Sequence, residues 1–323
     1  MRGTDTELDS KLVGTLLLVG FVVLLSPTAG VADAHIPSHE FNGAMRDTNW
    51  VRVTAQQLSK QNLLYQLRLG NVTKQDIVDS AGEMDRILDK LANGRTDQWV
   101  PKPPTPEIHA AIERIDAKWG PLRTLSMSGP FDMLRRSGLS SRADDPLLVR
   151  RFSELSTELG EAAETLLALY LKECLKYEYP LCRVQAINGV PQLLSERMVT
   201  ALVFVYAGIE RETNIVRLRE ARNTYDATMQ RVRKVPLVIE AMDPSRGISG
   251  RAISDMLQIA DREWHVLRAE VDRILGEEAV RIDFGNVLTS QEQMALQMIR
   301  LRVAMERYAA TREGLLSPAL LRP

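Results

Sequence analysis

The sequence is short of the residues that most chemistry needs. Only two of its 323 residues are cysteine and four are histidine, and aromatic side chains make up 5%. His35, His39, His109 and His265 are scattered, and none stands in an H-E-x-x-H or similar spacing, so no metal centre is expected. A cut before His35 would leave one exception, a copper chelate of the new amino group with His35 and His39. A Gly-rich phosphate loop, a nucleophile elbow and a Cys-His pairing are all missing. The reading is therefore non-enzymatic, with no cofactor.

An excess of positive charge is missing too. Lys and Arg number 41 against 42 Asp and Glu, so the chain lacks the electrostatic footprint of a nucleic-acid-binding protein. Prolines and glycines are few, 15 and 19, and Leu, Ala, Arg, Glu and Met fill the chain. Such unbranched side chains lose little rotamer freedom on a helix.

Beyond residue 25 no long apolar run occurs. Before it, Arg2 and Lys11 precede an apolar stretch from Leu12 to Leu25, broken by Ser26 and Pro27, and Ala32-Asp33-Ala34 offers the small residues that a signal peptidase accepts. Residues 1–34 are thus expected to be a signal peptide, with a periplasmic or secreted chain starting at His35. The alternative is an N-terminal membrane anchor, for which fourteen apolar residues are short against the ~20 of a span. Removal of residues 1–34 leaves 39 basic and 38 acidic side chains. Any signalling domain is expected on another protein.

Cys174 and Cys182 stand eight apart in KECLKYEYPLC, and an exported chain meets oxidising conditions, so a disulfide is expected.

Apolar residues step four, three, four, three along several stretches, the seam of helices packed side by side. Ile253, Leu257, Ala260, Trp264, Leu267, Val271 and Ile274 form one such seam, and Ile108, Ile112, Ile115, Trp119 and Leu122 another. The match goes further: IDAKWGPLR and ADREWHVLR place Asp116 and Asp261 three residues before the tryptophans, and Arg123 and Arg268 four after. QQLSKQN and QLLSERM likewise put Leu58-Ser59 and Leu194-Ser195 on opening helices that lead to Gly70 and Gly208, candidate helix caps. A second helix follows in each unit, ending in MDRILDKL and RNTYDATM. The last helices run through Leu148, Phe152, Leu155, Leu159, Ala162, Leu166 and Leu169, and through Met294, Met298, Leu301, Met305 and Tyr308.

The pattern predicts an all-α protein with two tandem antiparallel four-helix bundles, over 35–176 and 183–323, joined near Tyr177 to Cys182. Trp119 and Trp264 are expected to anchor separate cores. Pro121 is expected to kink or end the third helix, and the Gly-, Ser- and Pro-rich stretch from Ser126 to Pro146 to be irregular.

NGVPQLLSERM, from Asn188 to Met198, resembles the opening helix of the PilJ-type sensor domain, whose pattern reads about AGRQRMLSQRM; Gly189, Leu194, Ser195, Arg197 and Met198 fit. Gly208, Tyr225-Asp226 and the Trp264 helix follow in the family's order, and Leu58, Ser59, Leu88-Asp89 and Trp119 give a weaker match in the first unit. The resemblance implies a helical sensing bundle like the extracytoplasmic domains of type IV pilus chemotaxis transducers. In related nitrate and nitrite sensors, paired arginines on the opening helix bind the anion across a homodimer. Here Arg197 stands at the second arginine position and Gln192 at the first, while Gln56 and Gln61 take both places in the other unit.

The candidate ligand site is a small-anion site of Ser195, Arg197 and Arg222, because a guanidinium offers an anion two aligned hydrogen bonds. The alternative is that the two guanidiniums reach water or pair with Glu196 or Asp226. Asp116 and Asp261 are read as solvent-edge residues or members of a recognition pocket. The expected partners are a small anion, a membrane receptor or sensor protein, and a second copy of the chain in a homodimer; the rival reading is an assembly module without a ligand.

Overall fold

Helices are the regular elements among the described residues, which are 38–312 apart from 96, 98, 128–145, 178, 244–247 and 277–281 of a computed structural model. The stretch expected to be a signal peptide, with its expected cleavage site, and most of the Ser126 to Pro146 stretch lie outside them. The elements are α1 (Ser38–Leu67), α2 (Lys74–Asn93), α3 (Pro106–Met127), α4 (Pro146–Leu175), α5 (Pro180–Ala207), α6 (Arg211–Lys234), α7 (Pro236–Ala241), α8 (Ile248–Leu275) and α9 (Phe284–Arg312). The protein is all-α, and none of these helices is long and apolar enough to cross a membrane.

Local chemistry sets the ends. Thr73 and Asp76 form a reciprocal capping box at the start of α2, which satisfies two of the orphan N–H groups there. Gly208 ends α5 in the left-handed conformation (φ 72°), its N–H bonded to the Phe204 and Val205 carbonyls. At the end of α1 that role falls to Arg68 (φ 54°) instead of Gly70, and the Leu69 N–H closes the turn onto the Leu64 carbonyl at 2.9 Å. Pro121 does not end α3. It is exposed, as is Ala117 one turn earlier, so the carbonyl that loses its donor faces water and the helix continues to Met127.

Two hydrophobic cores result. In the first, α1 packs on α2 and α4, and α3 on α2 and α4, around Ile115, Trp119, Leu159 and Leu166. In the second, α5 packs on α6 and α9, and α8 on α6 and α9, around Leu202, Tyr225, Trp264 and Met298. Burying each such side chain contributes about 1.5 to 3 kcal/mol. Trp119 and Trp264 thus anchor separate cores. Cys174 and Cys182, both fully buried, form the expected disulfide (Cα–Cα 6.0 Å) between the end of α4 and the first turn of α5.

The two groups of helices form one compact unit because α1 also packs against α5. Asn49 lies beside Gly189 and Lys60 beside Glu196, so the two opening helices run in the same direction. A Cβ at Gly189 would fall on the Asn49 side chain, so glycine is what permits the close approach. Enclosed between the groups, α1 holds ten of the 21 buried polar or charged side chains among the described residues.

Candidate functional site in the seam of the opening helices

Each copy holds its tryptophan by the same device. The Trp119 indole N–H donates to Asp85 Oδ1 at 2.7 Å, and Arg123 Nε meets Asp85 Oδ2 at 2.9 Å. In the second copy Trp264 donates to Asp226 Oδ1 at 2.9 Å, and Arg268 Nη1 lies 3.2 Å from Asp226 Oδ2. A hydrogen bond to a charged group is worth about 1.5 to 3 kcal/mol. Helices two and three are fixed to each other in this way in both copies. The first-copy partner of Asp226 is therefore Asp85, and Asp89, one turn further on, instead accepts from Asn93 at 2.8 Å.

The seam between α1 and α5 is polar over its middle, before Leu63 and Leu64 join the second core. Lys60 Nζ lies 2.8 Å from Glu196 Oε2 and donates to Gln291 Oε1 at 2.7 Å, while Gln291 Nε2 donates to Glu196 Oε1 at 2.6 Å. All three are buried and come from α1, α5 and α9. Such a closed triangle satisfies both charges without water, which an unaccompanied buried ion would not tolerate.

Further toward the start of α1, the pairing of charges is looser. Arg52 is buried; its Nη1 donates to Asn49 Oδ1 at 3.1 Å, its Nη2 lies 3.6 Å from Glu164 Oε2 of α4, and its Nε has no partner among the described residues. Burial pulls the Arg52 pKa below the ordinary arginine value; Glu164 opposes the fall and Arg197 of α5 adds to it. Arg197 sits at the exposed rim, and its pKa is also lowered, first by the crowding of protein around it, against the pull of Glu164 and Glu161. The two guanidiniums, from different helices, thus act against each other, offset by Glu164, whose side chain is half exposed, and by Glu161. An anion lodged there would relieve the repulsion and give Arg52 a full set of acceptors.

The residues singled out in the sequence are divided among different neighbours. Arg197 belongs to this seam. Arg222 of α6 pairs with Asp272 of α8 at 3.0 Å and donates to Asn223 at 3.2 Å. Ser195 is fully buried, and its hydroxyl donates to the Gln192 carbonyl of its own helix at 2.8 Å. Neither Glu196 nor Asp226 takes up the two arginines, since Lys60 holds one and Arg268 the other. Arg52, Lys60, Asp85 and Glu164 escaped sequence reasoning. A signal for Arg52 was available in its three- and four-residue steps to Met45, Thr48, Ala55 and Ser59, which place a charge in line with a helix face.

Comparison of the chain with protein-family models, with curated proteins and with solved structures finds no match.

Proposed function

We propose that the protein is a non-enzymatic sensing or binding module of the PilJ-like type, working outside the cytoplasmic membrane, which takes a small oxyanion or carboxylate where Arg52, Arg197 and Glu164 meet. One observation carries the reading: a buried guanidinium with an unused Nε and only a loose 3.6 Å contact to half-exposed Glu164 lies within electrostatic reach of a second guanidinium, Arg197, on which Glu164 and Glu161 both pull. The parallel pairing of α1 with α5 supports it, because it brings two opening helices together within a single chain. The disulfide is in keeping with an oxidising compartment and hence with export from a signal peptide.

A second reading, an assembly module without a ligand, draws on Ser195 and Arg222 already being committed to Gln192 and Asp272. Thermal shift of the chain from His35, against nitrate, nitrite, acetate and phosphate at constant ionic strength, separates the two. The anion reading expects at least one of them to raise the Tm of the parent and not of Arg197→Ala, with Arg222→Ala still responding. No shift with any anion, or an equal shift in Arg197→Ala, would leave the assembly reading in its place.

A further inference from the structure

The two copies differ in the outer groove between their second and third helices. In the second copy, Arg233 near the end of α6 crosses to pair with Asp261 on α8. Asp85 and Asp226 both accept the indole N–H, which sets α2 and α6 in register; Leu88 and Leu91 then match the buried Met229 and Val232, and Ala92 falls where Arg233 stands. On the third helix Asp116 precedes Trp119 by three residues, as Asp261 precedes Trp264. The first copy has the aspartate without the arginine.

At that position there is an open pocket of about 340 Å³, lined by Ala92 and Asp116 among others, together with Asp89, Glu113, Ile112 and Trp119. Further exchanges act in the same direction. Asp89 and Glu113 stand where the second copy has Gln230 and Gln258, and Asn93 where it has Lys234. Arg123 is already held by Asp85, His109 lies 3.5 Å from Glu113, and Asp116 has no polar partner among the described residues. No three carboxylates or imidazoles among the described residues converge closely enough to hold a metal ion. The cavity is also of the size that small organic ligands fill.

We propose that this pocket binds a small organic guanidinium compound, its head group against Asp116 in the place that Arg233 takes beside Asp261 in the second copy. That second copy is the independent observation: its equivalents of Asp116 and Asp85 each already bind a guanidinium, those of Arg233 and Arg268. A planar fork matches a carboxylate in two bonds, which a compact ammonium cannot do. Ala92 and Ile112 offer an apolar wall for the ligand's carbon chain. The site is separate from the Arg52 seam and opposite in charge, so either can fail without the other.

The test is calorimetric titration of the chain from His35 with agmatine, with putrescine as the ammonium comparator and sodium chloride holding the ionic strength constant. Agmatine is expected to saturate one site and to bind at least about tenfold tighter than putrescine, and Asp116→Asn to weaken it about tenfold or more. Ala92→Arg supplies the guanidinium from the chain itself, so it is expected to abolish agmatine binding and raise the Tm. Binding of agmatine no tighter than that of putrescine, unchanged binding in either variant, or no saturable binding at all would overturn the proposal. An arginine-containing peptide that binds where agmatine does not would overturn it too, by assigning the pocket to a protein partner.

Discussion

Lys60 and Glu196 hold the same position in the two opening helices, each directly after a matching Leu-Ser pair, and they pair with each other at 2.8 Å. Identical units would set this position against its own copy, and like charges would meet. Opposite charges make α1 and α5 fit one another and refuse themselves, the logic of specificity by repulsion. Lys60→Glu or Glu196→Lys buries two like charges, and each is expected to cost about 3 to 5 kcal/mol in urea denaturation. The double reversal restores opposite charges and is expected to recover most of that loss. Failure to recover would mean that the pair does not determine how α1 meets α5.

Trp119→Phe and Trp264→Phe each remove one indole donor while leaving Asp85 and Asp226 their arginines. Each is expected to cost about 1 to 3 kcal/mol. Because the two rings sit in different cores, the double variant is expected to lose the sum to within about 0.5 kcal/mol. A coupling well beyond that would argue for one shared interior.

Reduction of the Cys174–Cys182 bond opens a loop of eight residues' separation, and chain entropy puts the expected loss at roughly 2.5 kcal/mol. Thermal melts of the oxidised protein and of the Cys174→Ala/Cys182→Ala variant measure it. Since the bond ties α4 to α5, local opening seen by hydrogen exchange should concentrate at those two helix ends.

The pKa values of Tyr170 and Tyr225 are both raised above the ordinary tyrosine value of 10.0, chiefly by burial, with Asp47 and Asp261 the leading carboxylates that push the same way. A raised folded pKa means that the native state holds its protons longer than the unfolded chain. Their contribution is therefore complete below about pH 10 and is lost as pH rises above it. Ultraviolet titration is expected to show that two of the seven tyrosines ionise only as helical circular dichroism is lost. Full ionisation with the helices intact would contradict the burial of these two hydroxyls.

The capping box at Thr73 offers a surface test. The Thr73 hydroxyl and N–H hold the Asp76 pKa below the ordinary carboxylate value, so the contribution is present at neutral pH and is lost as pH falls through that lowered pKa. Thr73→Ala is expected to cost about 1 kcal/mol at pH 7 and less in acid, read by urea melts at both pH values.

The helices most legible in the sequence are those with water on one side. On α3 and α8 an apolar stripe alternates with charge, and every seam residue from Ile108 to Leu122 and from Ile253 to Ile274 is buried. The second buried face of α1 escaped, because it meets protein through Asn49, Arg52 and Lys60, which in sequence resemble a solvated surface. Of the proposed anion site only Arg197 was legible, since its partners Arg52 and Glu164 lie on two other helices that no local pattern connects to it. The one-turn error at Asp89 arose because Met84-Asp85 and Leu88-Asp89 present the same apolar-acidic pair four residues apart, and only the indole bond distinguishes them.

The polar stretch of the outer face of α1, from Asn49 to Lys60, has a meaning in time as well as in space. A ribosome releases Lys60 more than two hundred residues before Gln291, and until α5 and α9 emerge that side of the helix has only solvent to face. A greasy surface left waiting so long would invite aggregation. One made of amides, hydroxyls and charges can stay hydrated alone and shed its water once its late-arriving neighbours close over it.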